Sequence, residues 1–233
     1  MNTNNNQLVV QCLDLSKTYT QGSIKVHALD HVNFEARQGD FICLSGPSGS
    51  GKSTLLNMIG GLDTPSDGEV FIDNEEIDEL NKSELADMRL KKIGFVFQAY
   101  NLIPVLTAQE NIEMVMQMQG ISKKERNLKS SAILQEVGLE GMEKRKPPEL
   151  SGGQQQRVAV ARAIVSNPSL VLADEPTANL DSVTANKLID LMLTMNEVHN
   201  TTFIISTHDP MIMQRAKTLV KLHDGKIIET TKP

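Results

Sequence analysis

The chain reads as an α/β protein: a core of parallel strands, a separate antiparallel β layer, and a block of helices inserted between the two halves of the core. Three observations predict this. Unbroken apolar runs at Phe41-Ile42-Cys43-Leu44, Leu170-Val171-Leu172-Ala173 and Phe203-Ile204-Ile205 have the pattern of strands covered on both faces, as parallel strands are when crossover helices flank the sheet. The first run feeds a Gly-rich turn and then the helical spacing Leu55, Leu56, Met58, Ile59. A long, mostly helical stretch from Thr107 to Val165 separates that unit from the second and third runs.

The elements follow in order. Leu8 to Leu13 and Val32 to Glu35 alternate as short strands joined by a turn around Gln21-Gly22-Ser23, which predicts an antiparallel β-subdomain. Asp67 to Asn74 reads as a turn and a further strand of that layer. Asn81 to about Lys92 is helical, and Ile93-Gly94-Phe95-Val96-Phe97 is a strand closed by Gln98. Within the long helical stretch Gly120 and Gly138 mark helix ends, and Pro147-Pro148 stops the pattern before Leu150. Strands return at Leu170, Phe203 and Thr218, the last in a hairpin through Asp224-Gly225. One domain is expected over residues 1–233. Residues of about 8–98 and 166–233 form the core with its β-subdomain, and about 99–165 form the helical subdomain.

Composition sets limits. With 233 residues and 39% hydrophobic content the chain supports one core with a subdomain. Its longest apolar runs are far shorter than the roughly 18 residues that cross a bilayer, and the Asn-rich start has no basic-then-apolar targeting pattern, so a cytoplasmic protein is expected. The net charge of −6 argues against nucleic-acid binding, which needs a basic field; Arg89 to Lys92 is a solvated helix face. Cys12 and Cys43 lie in apolar strands without metal spacing and read as buried hydrophobes.

The chemistry is concentrated in short segments. Gly46-Pro47-Ser48-Gly49-Ser50-Gly51-Lys52-Ser53-Thr54 matches G-x-x-x-x-G-K-[ST], in which backbone N–H groups and a helix N-terminus cradle phosphates. Lys52 then reaches the β- and γ-phosphates and the Ser53 hydroxyl serves Mg²⁺. ATP and Mg²⁺ are thus the expected ligands. Asp174 and Glu175 end the strand beginning at Leu170, where α/β sheets bind their ligands. Asp174 is placed to hold Mg²⁺, and Glu175 to act as general base on an attacking water. The turn Leu150-Ser151-Gly152-Gly153-Gln154 precedes a helix, so Ser151 can cap it while the glycines permit close backbone approach.

Taken together, these segments resemble the ATP-binding cassette (ABC) family over about Leu8 to Glu229. The resemblance implies a P-loop NTPase with a RecA-like parallel sheet core, an antiparallel β-subdomain and an inserted helical subdomain carrying the ABC signature. It also implies that Leu150 to Gln154 act in trans, capping the γ-phosphate of ATP held by the other copy of a homodimer. By the same resemblance Tyr19 stacks on adenine, and Gln98 contacts Mg²⁺ or water and senses a membrane subunit. Asn179-Leu180-Asp181 couple the two sites, and His208 contacts the γ-phosphate. Gly60-Gly61-Leu62-Asp63, Asn101-Leu102-Ile103-Pro104 and the run from Leu150 to Ala163 are similar to the group containing the MacB, LolD and FtsE ATPases. That similarity implies an integral membrane partner with few spans and a large extracytoplasmic domain, with this chain peripheral on the cytoplasmic face of the inner membrane. Ala178 departs from the group, where glycine is usual, and bears on the adjacent coupling loop. The irregular apolar stretch Tyr100 to Leu106 is a candidate socket for a helix of the membrane subunit. Uptake driven with a solute-binding protein, or a non-transport division role, uses the same ATPase residues.

Overall fold

A computed structural model describes residues 7–22 and 24–232. The chain runs β1 (Leu8–Gln21), β2 (Ile24–Arg37), β3 (Phe41–Ser45), α1 (Lys52–Ile59), β4 (Asp67–Ile72), β5 (Glu75–Glu76), α2 (Lys82–Lys92) and β6 (Ile93–Phe97). It continues through α3 (Ala108–Met118), α4 (Lys123–Glu136), α5 (Gly152–Ile164), β7 (Leu170–Asp174), α6 (Ser182–His199), β8 (Thr202–Ser206), α7 (Pro210–Arg215), β9 (Thr218–His223) and β10 (Lys226–Thr231). The central sheet has the order β10-β9-β3-β8-β7-β6. Its strands are parallel except for the edge strand β10, which returns antiparallel along β9. A second sheet, β2-β1-β4-β5, is antiparallel.

The period of two along the central strands divides the core into two layers. Phe41, Cys43, Val171, Ala173, Phe203 and Ile205 face the helical side, where they meet Ile112 of α3, Val160 of α5 and Leu188 of α6. The intervening Ile42, Leu44, Leu170, Leu172 and Ile204 face α1 and the antiparallel sheet, meeting Leu55, Ile59, Val10 and Val70. Both faces are therefore dry, which explains why the runs in the sequence are unbroken rather than alternating. Phe41 and Phe203 are fully buried with ring centres 5.7 Å apart. Truncating either to Ala would remove about 3–5 kcal/mol.

Most boundaries match the expected elements, with two differences. The short strands expected at Leu8 to Leu13 and Val32 to Glu35 belong to a pair of 14-residue strands. Register shifts along that pair, with positive φ at Asp14 and His31, break the alternation that would have revealed its outer half. The turn closes with Gln21 opposite Ile24, and Ser23 lies outside the described residues. Pro147-Pro148 also form a single 3₁₀ turn, Pro147–Glu149, instead of a plain break. Asn81 and Thr107 start α2 and α3 with reciprocal capping boxes, and the stops at Gly120 and Gly138 are left-handed.

Contact between helices and sheet is close where α5 crosses β6. A Cβ on Gly94 would stand 2.2 Å from the carbonyl oxygen of Ala163, so the strand carrying Gln98 and the helix after Leu150 are locked together. Cys12 and Cys43 are free and buried as expected, and burial pushes the Cys43 thiol up to about 12. Among the described residues no helix is long and apolar enough to cross a membrane. The Asn-rich start, residues 1–6, lies outside the described residues.

Candidate active site

The turn between β3 and α1 is built from backbone wedged against backbone. Gly46 has φ 149° and a Cβ there would lie 2.2 Å from the carbonyl oxygen of Leu222 on β9. Gly51, the left-handed residue before α1, leaves only 2.5 Å between a Cβ and the carbonyl oxygen of Ala28 on β2. Any side chain at either position must displace main chain, so glycine is required on both conformational and steric grounds. The hairpin turn after β9 adds support, because Gly225 N–H donates to the Ser50 carbonyl at 3.1 Å. Lys52 folds over the turn and donates to the carbonyls of Gly46 at 2.8 Å and Pro47 at 2.9 Å. Lys52 is 8% exposed, and its ammonium sits where phosphate oxygens would compete with those carbonyls.

This turn forms the wall of a cleft of about 730 Å³ that is also lined by Val26, His27 and Ala28, and by Gln98, Glu175, Ala178 and His208. The parallel register brings the carboxyl ends of β6, β7 and β8 side by side, pairing Phe97 with Asp174 and Asp174 with Ser206. Asp174 Oδ1 accepts from the Ser53 hydroxyl at 3.1 Å and also from the Ser206 hydroxyl. Glu175 departs from strand geometry with φ 46°, a left-handed conformation that is uncommon for a residue with a side chain and concentrated at functional sites. Its N–H donates to the Ser206 carbonyl at 3.0 Å, and its Oε1 lies 2.9 Å from Nδ1 of His208. The His208 ring is largely exposed, so its other nitrogen is open to the cleft.

Mg²⁺ fits this arrangement. One hydroxyl and one carboxylate oxygen lie together beside the phosphate-binding turn, the sparse protein contribution that Mg²⁺ prefers when phosphates and water complete its octahedron. Among the described residues no cluster of three His, Cys, Asp or Glu side chains could form an all-protein cage.

The other residues expected at the site divide clearly. Gln98 lines the cleft but is tied to Asn179: its carbonyl accepts from Asn179 Nδ2 at 3.0 Å, and the two side-chain amides meet at 3.4 Å. Leu180 packs against the helical-side core, and Asp181 caps α6 by accepting from the Val183 and Thr184 amides. The Thr184 hydroxyl and these amides hold the Asp181 carboxyl below its ordinary range. Ser50 turns inward and is 2% exposed. Tyr19 stands outside the cleft lining, paired across the strands with Val26, which is inside it.

Leu150 to Gln154 are not brought to the cleft of their own chain. Ser151 caps α5, accepting from Gln154 N–H at 3.3 Å while the Gln154 side chain accepts from Ser151 N–H at 2.9 Å. A Cβ on Gly152 would lie 2.8 Å from the Tyr100 hydroxyl, and one on Gly153 would lie 2.4 Å from a Thr184 methyl. The glycines therefore serve packing within the chain as well as leaving Ser151 accessible.

Tyr100 to Leu106 do not form the expected socket. Leu102 packs into the core, Val105 is 72% exposed, and of this stretch only Asn101 reaches the neighbouring groove. Arg162 fixes the stretch by donating to the carbonyls of Asn101 at 2.6 Å and Tyr100 at 3.0 Å, which holds both residues at positive φ. The concave surface is instead a groove of about 440 Å³ between α2, β6, α3 and α5, with Leu90, Phe95, Phe97, Met114, Val115 and Met118 in its walls.

Two further supports come from residues to which the motifs assign no role. Ser206 holds both Asp174 and the Glu175 amide, and the buried Gln156 amide bridges the carbonyls of Phe97 at 3.3 Å and Pro176 at 2.7 Å. Gln156 ties α5 to the ends of β6 and β7. Only the register of the strands reveals these roles.

A family model described as ABC transporter matches residues 29–178. An uncharacterized ABC transporter ATP-binding protein of Thermotoga maritima is 44% identical over 219 residues, covering 94% of this chain and 93% of its own length. The macrolide export ATP-binding/permease protein MacB of Mannheimia succiniciproducens is 41% identical over 223 residues, covering 96% of this chain but 34% of the longer protein. Among solved structures, a dimeric post-hydrolysis state of the ATP-binding cassette MJ0796 bound to ADP and Pi matches with TM-score 0.88 at 43% identity. That match covers 96% of this chain and 98% of the other.

Proposed function

Because the chain belongs to the ABC transporter family, as an ATP-binding subunit that hydrolyses ATP with Mg²⁺ as cofactor, we propose that two copies close head to tail on two ATP molecules and so drive a membrane subunit. The observation that carries the head-to-tail reading is the separation of the signature from the cleft of its own chain, with Ser151 exposed at the start of α5. A helix N-terminus with small residues suits a phosphate, and only a second copy can supply one there. The dimeric cassette cited above supports a dimer.

In this reading the amides of Gly46 to Thr54 and the Lys52 ammonium bind the phosphates, and Tyr19 stacks on the base. Ser53 and Asp174 hold Mg²⁺, with Gln98 beside them; the ion offsets phosphate charge when bound. Glu175 takes the proton of the water that attacks the γ-phosphorus, and His208 orients that carboxylate and the water. Ser151 and Gly153 close the site of the opposite copy, and Asn179 to Asp181 link the two sites through the Gln98 contact. Residues of about 99–165 move as the helical subdomain.

The groove between α2, β6, α3 and α5 is the surface we assign to a cytoplasmic helix of the membrane subunit, since it abuts both the strand that ends at Gln98 and the helix that begins after Ser151. The motif resemblance to the MacB, LolD and FtsE group favours a partner with few spans and a large extracytoplasmic domain at the inner membrane, in efflux, lipoprotein release or transenvelope signalling, and the relative named a macrolide export ATP-binding/permease protein favours export.

The Glu175→Gln variant tests the cycle. It is expected to bind ATP, form a stable dimer by light scattering, and hydrolyse about 10²–10⁴-fold more slowly. A variant that remains monomeric in ATP and Mg²⁺ contradicts the closed dimer. Purification from membranes in mild detergent, with mass spectrometry of the co-purifying subunit, tests the partner; a many-span permease with a solute-binding protein would instead indicate uptake.

A further inference from the structure

Tyr19 is anchored mainly by residues to which the motifs assign no such role, with a further side-chain hydrogen bond to Thr54 of the phosphate-binding turn. Its hydroxyl donates to Oδ2 of Asp63 at 2.9 Å, in the turn that follows α1. Lys17 donates to the other oxygen of that carboxylate at 2.9 Å and to the Thr64 carbonyl at 2.6 Å. The same ammonium lies 4.9 Å from the centre of the Tyr19 ring, and Thr64 N–H closes the turn by donating to Asp63 Oδ1 at 2.8 Å. Lys17 and Tyr19 flank a register shift in β1 and meet through this ring contact, and Tyr19 pairs across the strands with Val26, which lines the cleft. One face of the ring is therefore covered by Lys17. Tyr19 is 39% exposed as a residue, and its cross-strand partner Val26 lines the cleft.

We propose that Asp63, braced by Lys17, is a positioning residue that fixes the Tyr19 ring at the angle where it stacks on the nucleotide base. This rests on the reading of Tyr19 given above. The physical reason is rotamer freedom: an exposed tyrosine on a strand end has several χ1 wells, and tethering its hydroxyl leaves one. Stacking then begins from an ordered ring. The charges agree with this arrangement. Burial opposes the Asp63 charge, but Lys17 and the Tyr19 hydroxyl outweigh it and hold the carboxyl below its ordinary value. Burial, together with donation to that carboxylate, pushes the Tyr19 phenol up.

The test is equilibrium binding of ATP and of inorganic tripolyphosphate to the full chain and to Tyr19→Ala, Tyr19→Phe, Asp63→Ala and the Tyr19→Phe/Asp63→Ala pair. Tyr19→Ala should weaken ATP roughly tenfold through lost stacking. Tyr19→Phe and Asp63→Ala should each weaken it about threefold, and the pair no further than Tyr19→Phe alone, since both remove the Tyr19–Asp63 hydrogen bond. Tripolyphosphate, which has no base, should bind all five proteins equally. In a Tyr100→Phe background Tyr19 is the only tyrosine, since the chain has two. Its phenol should then ionise at lower pH in Asp63→Ala, read by near-ultraviolet absorbance. Wild-type ATP affinity in both Tyr19→Phe and Asp63→Ala, with Tyr19→Ala weakened, would overturn the positioning role and leave stacking intact. Wild-type affinity in Tyr19→Ala would remove stacking itself. Equal loss of tripolyphosphate in Asp63→Ala would mean that Asp63 only folds the turn, and would also overturn the proposal.

Discussion

The phosphate-binding turn and the signature turn are both Gly-rich loops that open a helix, yet they are built in opposite ways. Residues 46–51 are clamped from outside: the carbonyls of Leu222 and Ala28 sit where Cβ atoms would be, and the 224–225 hairpin hydrogen-bonds to Ser50. Residues 150–154 are organised by a capping box of their own and meet side chains rather than main chain outside it, the Tyr100 hydroxyl and a Thr184 methyl, and Ser151 remains exposed. The first is a finished half of a site. The second, in the proposed dimer, is a surface completed by another copy. In the proposed cycle such a chain binds nucleotide alone but couples hydrolysis to assembly.

The largest expected effect lies on the clamped side. Gly46→Ala forces a side chain into the Leu222 carbonyl at a φ that L residues rarely adopt. It should abolish detectable ATP binding and lower stability by about 2 kcal/mol or more, measured by urea unfolding. Retained affinity would show that the turn relaxes more easily than its backbone contacts imply. On the signature side, Ser151→Arg should leave ATP binding by the monomer within about twofold while hydrolysis falls about a hundredfold, because only closure is blocked. Mixing Ser151→Arg with Lys52→Ala should restore part of the activity, since one composite site of the mixed dimer is then intact. No recovery would contradict the exchange of signatures between copies.

These two loops also differ in how far the sequence discloses them. The spacing of Gly46, Gly51, Lys52 and Ser53 after an apolar strand is enough to place a phosphate site, because the chemistry is local in the chain. Dry strands on both faces made β3, β7 and β8 legible for the same reason. What stayed hidden depends on register and tertiary contact. Ser206 beside Asp174, Gln156 beneath Phe97 and Pro176, and Asp63 under Tyr19 are tens of residues from their partners. The outer half of β1 and β2 was obscured by register shifts, and the apolar stretch at 100–106 proved to be packing held by Arg162, with the groove beside it.

A smaller effect should separate the catalytic carboxylate from its orienting partner. His208→Ala removes the ring 2.9 Å from Glu175 without touching the phosphate turn. Hydrolysis should fall about 10–100-fold, less than in Glu175→Gln, with ATP affinity nearly unchanged. A loss equal to that of Glu175→Gln would assign His208 a proton-transfer role of its own.

The smallest effect concerns the brace at Asp63, and its sign follows from the depressed carboxyl pKa. A folded value below the ordinary one, about 3.9, means that the ionised Lys17 pair contributes stability fully above about pH 4. That contribution is lost as pH falls through the folded value. The Asp63 side chain is 35% exposed, so solvent screening limits the contribution to under about 1 kcal/mol. Urea midpoints of the wild type and Asp63→Asn should therefore differ slightly and constantly from pH 7 to about pH 5, then converge as acid protonates the wild-type carboxylate. If the difference instead widens toward acid, the carboxylate is strained by burial rather than supported by Lys17, and the turn after α1 holds Tyr19 in spite of Asp63.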